Sequence, residues 1–187
     1  ILNEKNKFPD SLGLIYAATT YFLGWKPFYD EGIVMGLAPY GNRNNYIPKS
    51  RTTYKKVFED IIKCKNNGTI QINLEWVEYH NQRDKWFSDK FFRLFGKKRK
   101  PGSNITQHHK DIAAALQARL EEVILKILKY LKNKTKMENL SIAGGVGLNC
   151  SLNGKIHDSK IFTKIFVQPA SSDSGIAIGA AILGFLN

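Results

Sequence analysis

The stretch Leu140–Ser141–Ile142–Ala143–Gly144–Gly145–Val146–Gly147–Leu148–Asn149 decides the fold. A short apolar run stops at paired glycines, and a helical pattern follows from Asn149 to Asp158. Ile165–Phe166–Val167 repeats the arrangement. This second apolar run passes through Pro169 into Ser171–Ser172–Asp173–Ser174–Gly175, which opens a small-residue helix from Ile176 to Leu186. Upstream lies the longest helix, expected over Thr106–Asn133. Its apolar stripe is Ile112, Leu116, Leu120, Val123, Ile127 and Leu131, with charges opposite. Strands alternating with helices over residues 106–187 imply an α/β layer with largely parallel pairing.

Each of the two loops follows a strand and precedes a helix. In α/β sheets such loops gather beyond the carboxyl ends of the strands, where ligands bind. Gly144 and Gly145 let a group approach the backbone where a Cβ would clash, and the helix that follows offers unpaired N–H groups. Asn149 can both donate and accept. The loop is therefore either a nucleotide cradle or a tight strand–helix joint. It is not the dinucleotide pattern, because no third glycine sits at the right spacing and no ribose-binding acid follows, and it is not a P-loop. In the second loop Asp173 is either a helix cap or a hard oxygen ligand for a phosphate-bound cation. If the two strands are neighbours, the loops share one cleft.

The first hundred residues are less regular. Ser11–Leu23 reads as a helix that buries Leu12, Ile15, Tyr16, Thr19 and Leu23, capped by Pro9–Asp10–Ser11 and stopped by Gly24 and Pro27. Asp30–Glu31–Gly32 leads into Val34–Met35–Gly36–Leu37–Ala38–Pro39–Tyr40–Gly41, a helix turn feeding a loop. The paired acids either start that helix or bind ribose hydroxyls or a metal. Tyr54–Ile62 reads as an amphipathic helix, Asn67–Gly68 as a turn, and Ile70, Ile72 and Leu74 as the inward residues of a strand. Lys85–Phe95 is expected to be helical and to stop at Gly96. Its Phe87, Phe91 and Phe95 repeat every four residues, which suits a core face. The segment 51–105 reads as an insertion of helix and strand.

The chain has 187 residues, 43% of them apolar and 24% charged. That composition excludes a mostly disordered chain, a collagen and a disulfide-stapled scaffold. No apolar run approaches the roughly 20 residues that span a bilayer. Two cysteines, Cys64 and Cys150, suit a reducing, cytoplasmic setting. Cys150 reads as a small buried thiol rather than a nucleophile. His80, His108, His109 and His157 show no metal-ligand spacing. The net charge is +12, and residues 81–110 hold nine basic side chains against two acidic ones. Such a patch is either a solvated face or a phosphate-attracting surface, as in a nucleic-acid-binding module. The first residue is Ile1, so the chain reads as an excised piece.

Several strings occur together and in order. They are Ser11–Leu12–Gly13–Leu14–Ile15–Tyr16, Asp30–Glu31 with Val34–Gly41, Phe95–Gly96 with Pro101–Gly102, and Asp111–Ile112–Ala113–Ala114 with Gln117. Gly144–Gly145–Val146 with Leu148–Asn149, and Pro169 with Asp173 and Gly175, complete the set. The chain thereby resembles the O-carbamoyltransferases of the nodulation-protein and antibiotic-tailoring type. The resemblance implies an actin-like ATPase (RNase H-like) fold, related to the threonylcarbamoyl transferases that modify tRNA. It implies ATP and carbamoyl phosphate as inputs and carbamoyl adenylate as the carbamoyl donor. The acceptor is then a hydroxyl of a sugar or natural product, with neither membrane nor nucleic acid as partner. A tRNA-modifying relative is the other branch of the same resemblance.

The resemblance also implies site residues. Nucleotide contacts are expected at Gly144, Gly145, Val146 and Asn149, and also at Ser174 and Gly175, with Glu31 near the nucleotide. Asp173 matches an acid that helps hold a catalytic divalent metal, often iron. Paired metal histidines are expected in an amino-terminal half preceding Ile1, and an adenylate-synthase-like domain is expected elsewhere in the same polypeptide. The chain is then the central and carboxyl-side part of the transferase domain, inactive alone. Residues 1–50 are the entry helix and acidic loop, and 106–187 the nucleotide-binding part. Ile33 stands where many relatives carry lysine.

Overall fold

A computed structural model describes residues 6–82 and 84–186. Ile1 and the basic residue Arg83 lie outside the described residues. The chain forms two compact units, Ile1–Ile127 and Leu128–Asn187. Residues 51–105 fold within the first unit, in the same body as the first helix.

In the first unit, α1 (Leu12–Phe22) starts at Ser11, whose hydroxyl accepts from the Leu14 N–H at 3.3 Å. The expected inward residues Leu12, Ile15, Tyr16, Thr19 and Leu23 are all buried. So are Ala17, Ala18, Thr20 and Phe22, which makes α1 the central helix of the unit. The buried Thr19 and Thr20 hydroxyls donate to the Ile15 and Tyr16 carbonyls, each at 2.9 Å, so neither is left unpaired. The helix ends at Gly24, whose φ of +87° favours glycine; a Cβ there would also lie 2.6 Å from the Arg99 carbonyl. Arg99 closes this end. Its backbone N–H donates to the Phe22 carbonyl at 3.0 Å, its guanidinium bonds the Leu23 carbonyl, and it stacks 4.4 Å from Trp25.

Two further helices and a hairpin follow. The acidic and glycine-rich stretch is more helical than expected: α2 (Glu31–Leu37) continues into a 3-10 turn at Ala38–Tyr40. α3 (Tyr54–Ile61) passes directly into β1 (Ile62–Cys64), which pairs antiparallel with β2 (Ile70–Ile72). Leu74 lies outside the strand and is exposed, because the chain turns at Asn73, whose carbonyl accepts from the Trp76 N–H at 3.1 Å and whose Oδ1 accepts from the Glu75 N–H at 3.2 Å. Both hairpin edges are covered, as exposed strand edges need to be. The Ile70 and Ile72 N–H groups donate to the side chains of Asn6 and Asp10, and Arg119 donates to the Ile62 carbonyl.

α4 (Asp89–Phe95) begins four residues later than its periodicity suggests. Phe87 instead forms a bridge with Val77, and Ser88 bonds back to Trp76 and Glu75. The three phenylalanines still meet in the core. Phe87 stacks on Phe91 at 3.7 Å, Phe91 lies 4.3 Å from Phe95, and Phe22 of α1 closes on Phe91 at 5.0 Å. α5 (Gln107–Thr135) supplies Ile112, Leu116, Leu120 and Val123 to the core; Ile127 and Leu131 are only half-buried, while Leu128 is buried.

Asp111 on α5 anchors the loop after α2. This buried carboxylate accepts from the Asn42 N–H at 2.7 Å, from Asn45 Nδ2 at 2.9 Å and from Gln107 Nε2 at 2.8 Å. Nearby, His108 Nε2 donates to the Phe95 carbonyl at 2.8 Å, which leaves Nδ1 to accept from the Tyr54 hydroxyl at 2.6 Å. Burial, helped by the Asp111 charge, pushes the Tyr54 phenol up to about 12. The folded value exceeds the unfolded one, so the stability it contributes is full below about pH 10 and is lost as pH rises through 12. Burial raises Tyr79 as well, so ultraviolet titration should show late ionisation of both Tyr54 and Tyr79, and Tyr54→Phe should remove one late-ionising group. A Tyr54 that ionises with the exposed tyrosines would contradict this.

The second unit contains the end of α5, β3 (Asn139–Ile142), α6 (Cys150–Asp158), β4 (Lys164–Val167) and α7 (Gly175–Leu186). β3 and β4 pair in parallel, with Leu140 opposite Ile165 and Ile142 opposite Val167. Leu140, Leu152, Ile156 and Phe162 form the buried centre. Glu138, just before β3, accepts from Lys132 and Thr163; these bonds, Lys132 first, hold its carboxyl below the ordinary glutamate range. The α/β reading of this segment agrees with the observed elements. Among the described residues no helix is long and apolar enough to cross a membrane.

Candidate functional site

The two strand–loop–helix joints of the second unit lie side by side, because β3 and β4 are hydrogen-bonded neighbours running the same way. The loops also touch. The Gly144 N–H donates to the Ser171 carbonyl at 2.6 Å. Gly144 takes φ +104°, a conformation that favours glycine. Gly147 is buried against Ser171, where an added Cβ would sit 3.0 Å from the serine oxygen. Ser171, itself 5% exposed, returns its hydroxyl to the Gln168 carbonyl.

The first loop is a 3-10 turn, Gly145–Leu148, rather than an open loop. Gly144 and Gly145 are exposed, with open space where a Cβ would be. Val146 is half-buried. The Gly145 and Val146 N–H groups precede the turn's own bonds and have no partner among the described residues. Asn149 caps α6, its Oδ1 accepting from the Leu152 N–H at 2.9 Å. Its acceptor is thus committed to the helix start. Cys150 is exposed, which corrects the expectation of a buried thiol. The reason is local: Leu152 and Ile156 make the inward face of α6, and Cys150 does not lie on it.

In the second loop Ser174 is exposed and its hydroxyl lies 3.1 Å from that of Ser172. Gly175 donates to the Ser172 carbonyl at 3.0 Å, and a Cβ there would lie 2.3 Å from the Ala170 carbonyl. The Asp173 carbonyl accepts from Ile176 at 3.0 Å, but its carboxylate is exposed and has no partner among the described residues. It can donate one oxygen ligand to a cation. Among the described residues no three His, Cys, Asp or Glu side chains gather to hold a metal ion. The residues present therefore do not make a metal cage by themselves.

Glu31 belongs to the first unit. It stands at the first position of α2, and its Oε1 accepts from the Phe28 N–H at 2.6 Å. Asp30 accepts from the Lys26 N–H at 2.8 Å. The paired acids thus tie down the turn before α2, where Phe28 takes φ +68°. The basic segment is partly committed as well. Arg99 is buried, Lys98 lies 3.2 Å from the Tyr21 ring centre, Lys85 pairs with Asp89 and Lys90 with Glu75.

Ser171 enters the sequence reading only as part of the second loop's string and Asn153 is not singled out, yet both brace the first loop. Asn153 donates from Nδ2 to the Gly147 carbonyl at 2.8 Å. The asparagine one helical turn after Asn149 was the available signal.

Comparison with known proteins adds a family. The family model described as Carbamoyltransferase N-terminus matches residues 1–182. The chain is 40% identical to nodulation protein NolNO of Sinorhizobium fredii over 93% of its length, and 37% identical to nodulation protein NolO of Bradyrhizobium diazoefficiens over 98%. It is 39% identical to the uncharacterized protein sll1178 of Synechocystis over 94% of its length. It covers 23%, 30% and 27% of those three proteins respectively, about a quarter of each. The match takes in both loops of the second unit and the whole of the first, and the chain belongs to the carbamoyltransferase N-terminal-domain family.

Proposed function

We propose that this chain is the central and carboxyl-side part of an actin-like O-carbamoyltransferase domain, and that its two adjoining loops grip an adenylate. The observation that carries this is the contact of the Gly144–Asn149 and Ser171–Gly175 loops at the carboxyl end of a parallel strand pair. Free N–H groups at Gly145 and Val146 suit phosphate oxygens, and the open Cβ positions at Gly144 and Gly145 leave room for a ring or ribose. Asp173 and Ser174 present oxygens at the rim. Glu31 is assigned to the nucleotide's surroundings by family position alone.

In this reading carbamoyl phosphate, water and ATP yield carbamoyl adenylate with release of phosphate and pyrophosphate, and the donor's acyl carbon is attacked by an acceptor hydroxyl. A bond forms from the acceptor oxygen to the carbamoyl carbon. The bond from that carbon to the phosphate oxygen breaks, AMP leaves, and the hydroxyl proton passes to solvent. The chain's own part is to hold the leaving phosphate with backbone donors, which stabilises the charge that grows on it. A divalent metal, when bound, would polarise the carbamoyl oxygen; Asp173 is the ligand this chain would offer it. The acceptor is a sugar or natural-product hydroxyl, and the setting is cytoplasmic. The remaining metal ligands and the adenylate-forming domain belong to the rest of the polypeptide.

The test is a transfer assay on the full-length protein with ATP, carbamoyl phosphate and a panel of hydroxylated acceptors. A carbamate product that requires both inputs and appears with equimolar AMP is the expected result. Product formed without ATP would refute the adenylate route.

A further inference from the structure

Asn153 reaches the first loop from inside α6. Its backbone N–H continues the helix by donating to the Asn149 carbonyl at 3.0 Å. Its Nδ2 leaves the helix and donates to the Gly147 carbonyl at 2.8 Å. Gly147 is then fixed on three sides: its N–H donates to the Gly144 carbonyl at 2.8 Å, its Cα faces Ser171, and its carbonyl is held by Asn153. The positions of Gly145 and Val146, between Gly144 and Gly147, follow from that clamp.

The other half of the same carboxamide has no use in the fold. Asn153 Oδ1 is buried and accepts no hydrogen bond. A buried acceptor without a donor offsets what the Nδ2 bond contributes, since the two effects are similar in size and opposite in sign. Asn153 is therefore a poor stabiliser that nevertheless sets the shape of a loop. We infer that Asn153 is a positioning residue, whose amide holds the Gly145–Val146 N–H groups in the geometry that receives an adenine nucleotide's phosphates. The inference rests on the adenylate reading of the two loops.

The experiment titrates ATP into the 187-residue chain by calorimetry and records melting temperatures, for the wild type, Asn153→Leu and Asn153→Ala. Leucine keeps the volume and removes both polar atoms; alanine serves if leucine does not fold. The expected result is wild-type binding, variants that melt within a degree or two of the wild type, and ATP affinity reduced about tenfold. Unchanged affinity in a folded variant would overturn the inference and leave the adenylate reading standing. A large fall in melting temperature with unchanged affinity per folded molecule would mark Asn153 as merely structural. A wild type that does not bind ATP would overturn the adenylate reading, and this inference with it.

Discussion

Gly41→Ala should destabilise the first unit by roughly 3 kcal/mol or more. A Cβ built at Gly41 lies 2.0 Å from the Lys110 carbonyl oxygen and 2.8 Å from the Asp111 nitrogen. Those atoms are backbone of α5 and cannot rotate away as a side-chain tip would. Relief requires the loop after α2 to lift off α5, and lifting it breaks the Asn42 and Asn45 bonds to the buried Asp111 carboxylate. That carboxylate would then be short of donors, which adds to the cost. Urea unfolding of the chain measures the effect as a lowered midpoint with an unchanged slope. Gly36→Ala is the control. It lies on α2 with no atom within 4 Å of the built Cβ, so alanine's better helix propensity should leave stability equal or slightly raised. Equal midpoints for the two variants would contradict the close approach at Gly41.

Asp173→Ala should act in the opposite manner, removing function while sparing the fold. The carboxylate is exposed and has no partner among the described residues, so its loss should leave the melting temperature within about a degree, as for other exposed sites. If it holds a cation, its removal costs on the order of a hundredfold in transfer. The measurement is acceptor carbamoylation by the full-length protein at saturating ATP. A domain that only senses nucleotide would keep its transfer rate after this substitution, and that result would remove Asp173 from the chemistry.

What could be read from the sequence was local. Ser11 as a cap, the α1 stripe, the first four residues of the α5 stripe and the β3–glycine loop–α6 order all rest on interactions within a few residues of each other, and all are present. The proximity of the two loops was also legible, because parallel strands joined through a helix tend to be neighbours and bring their carboxyl-end loops together.

What escaped depends on distant partners. β1 follows α3 with no turn residue between them, and one of its carbonyls is satisfied by Arg119, 57 residues away. Phe87 fits a helical period yet pairs with Val77, so α4 starts late. Arg99 lies in a run of four cations and reads as solvated, but the end of α1 sits against it and buries it. Asp30 and Glu31 resemble ligand acids, although each has a backbone N–H within four residues to bond. In the candidate site, the glycines and Asp173 stood out by type. Ser171 and Asn153 did not, because their importance comes from packing against Gly147 rather than from any pattern of their own.

An adenine nucleotide seated across the two loops of the second unit should perturb their backbone amides. Nitrogen-15 correlation spectra of the 187-residue chain, recorded while AMP is added, test this most directly. The predicted result is saturable shifts confined to the amides of Gly144–Asn149 and Ser171–Gly175, moving together with one affinity. Shifts centred on the basic segment 81–110, or an unchanged spectrum at millimolar AMP, would contradict it.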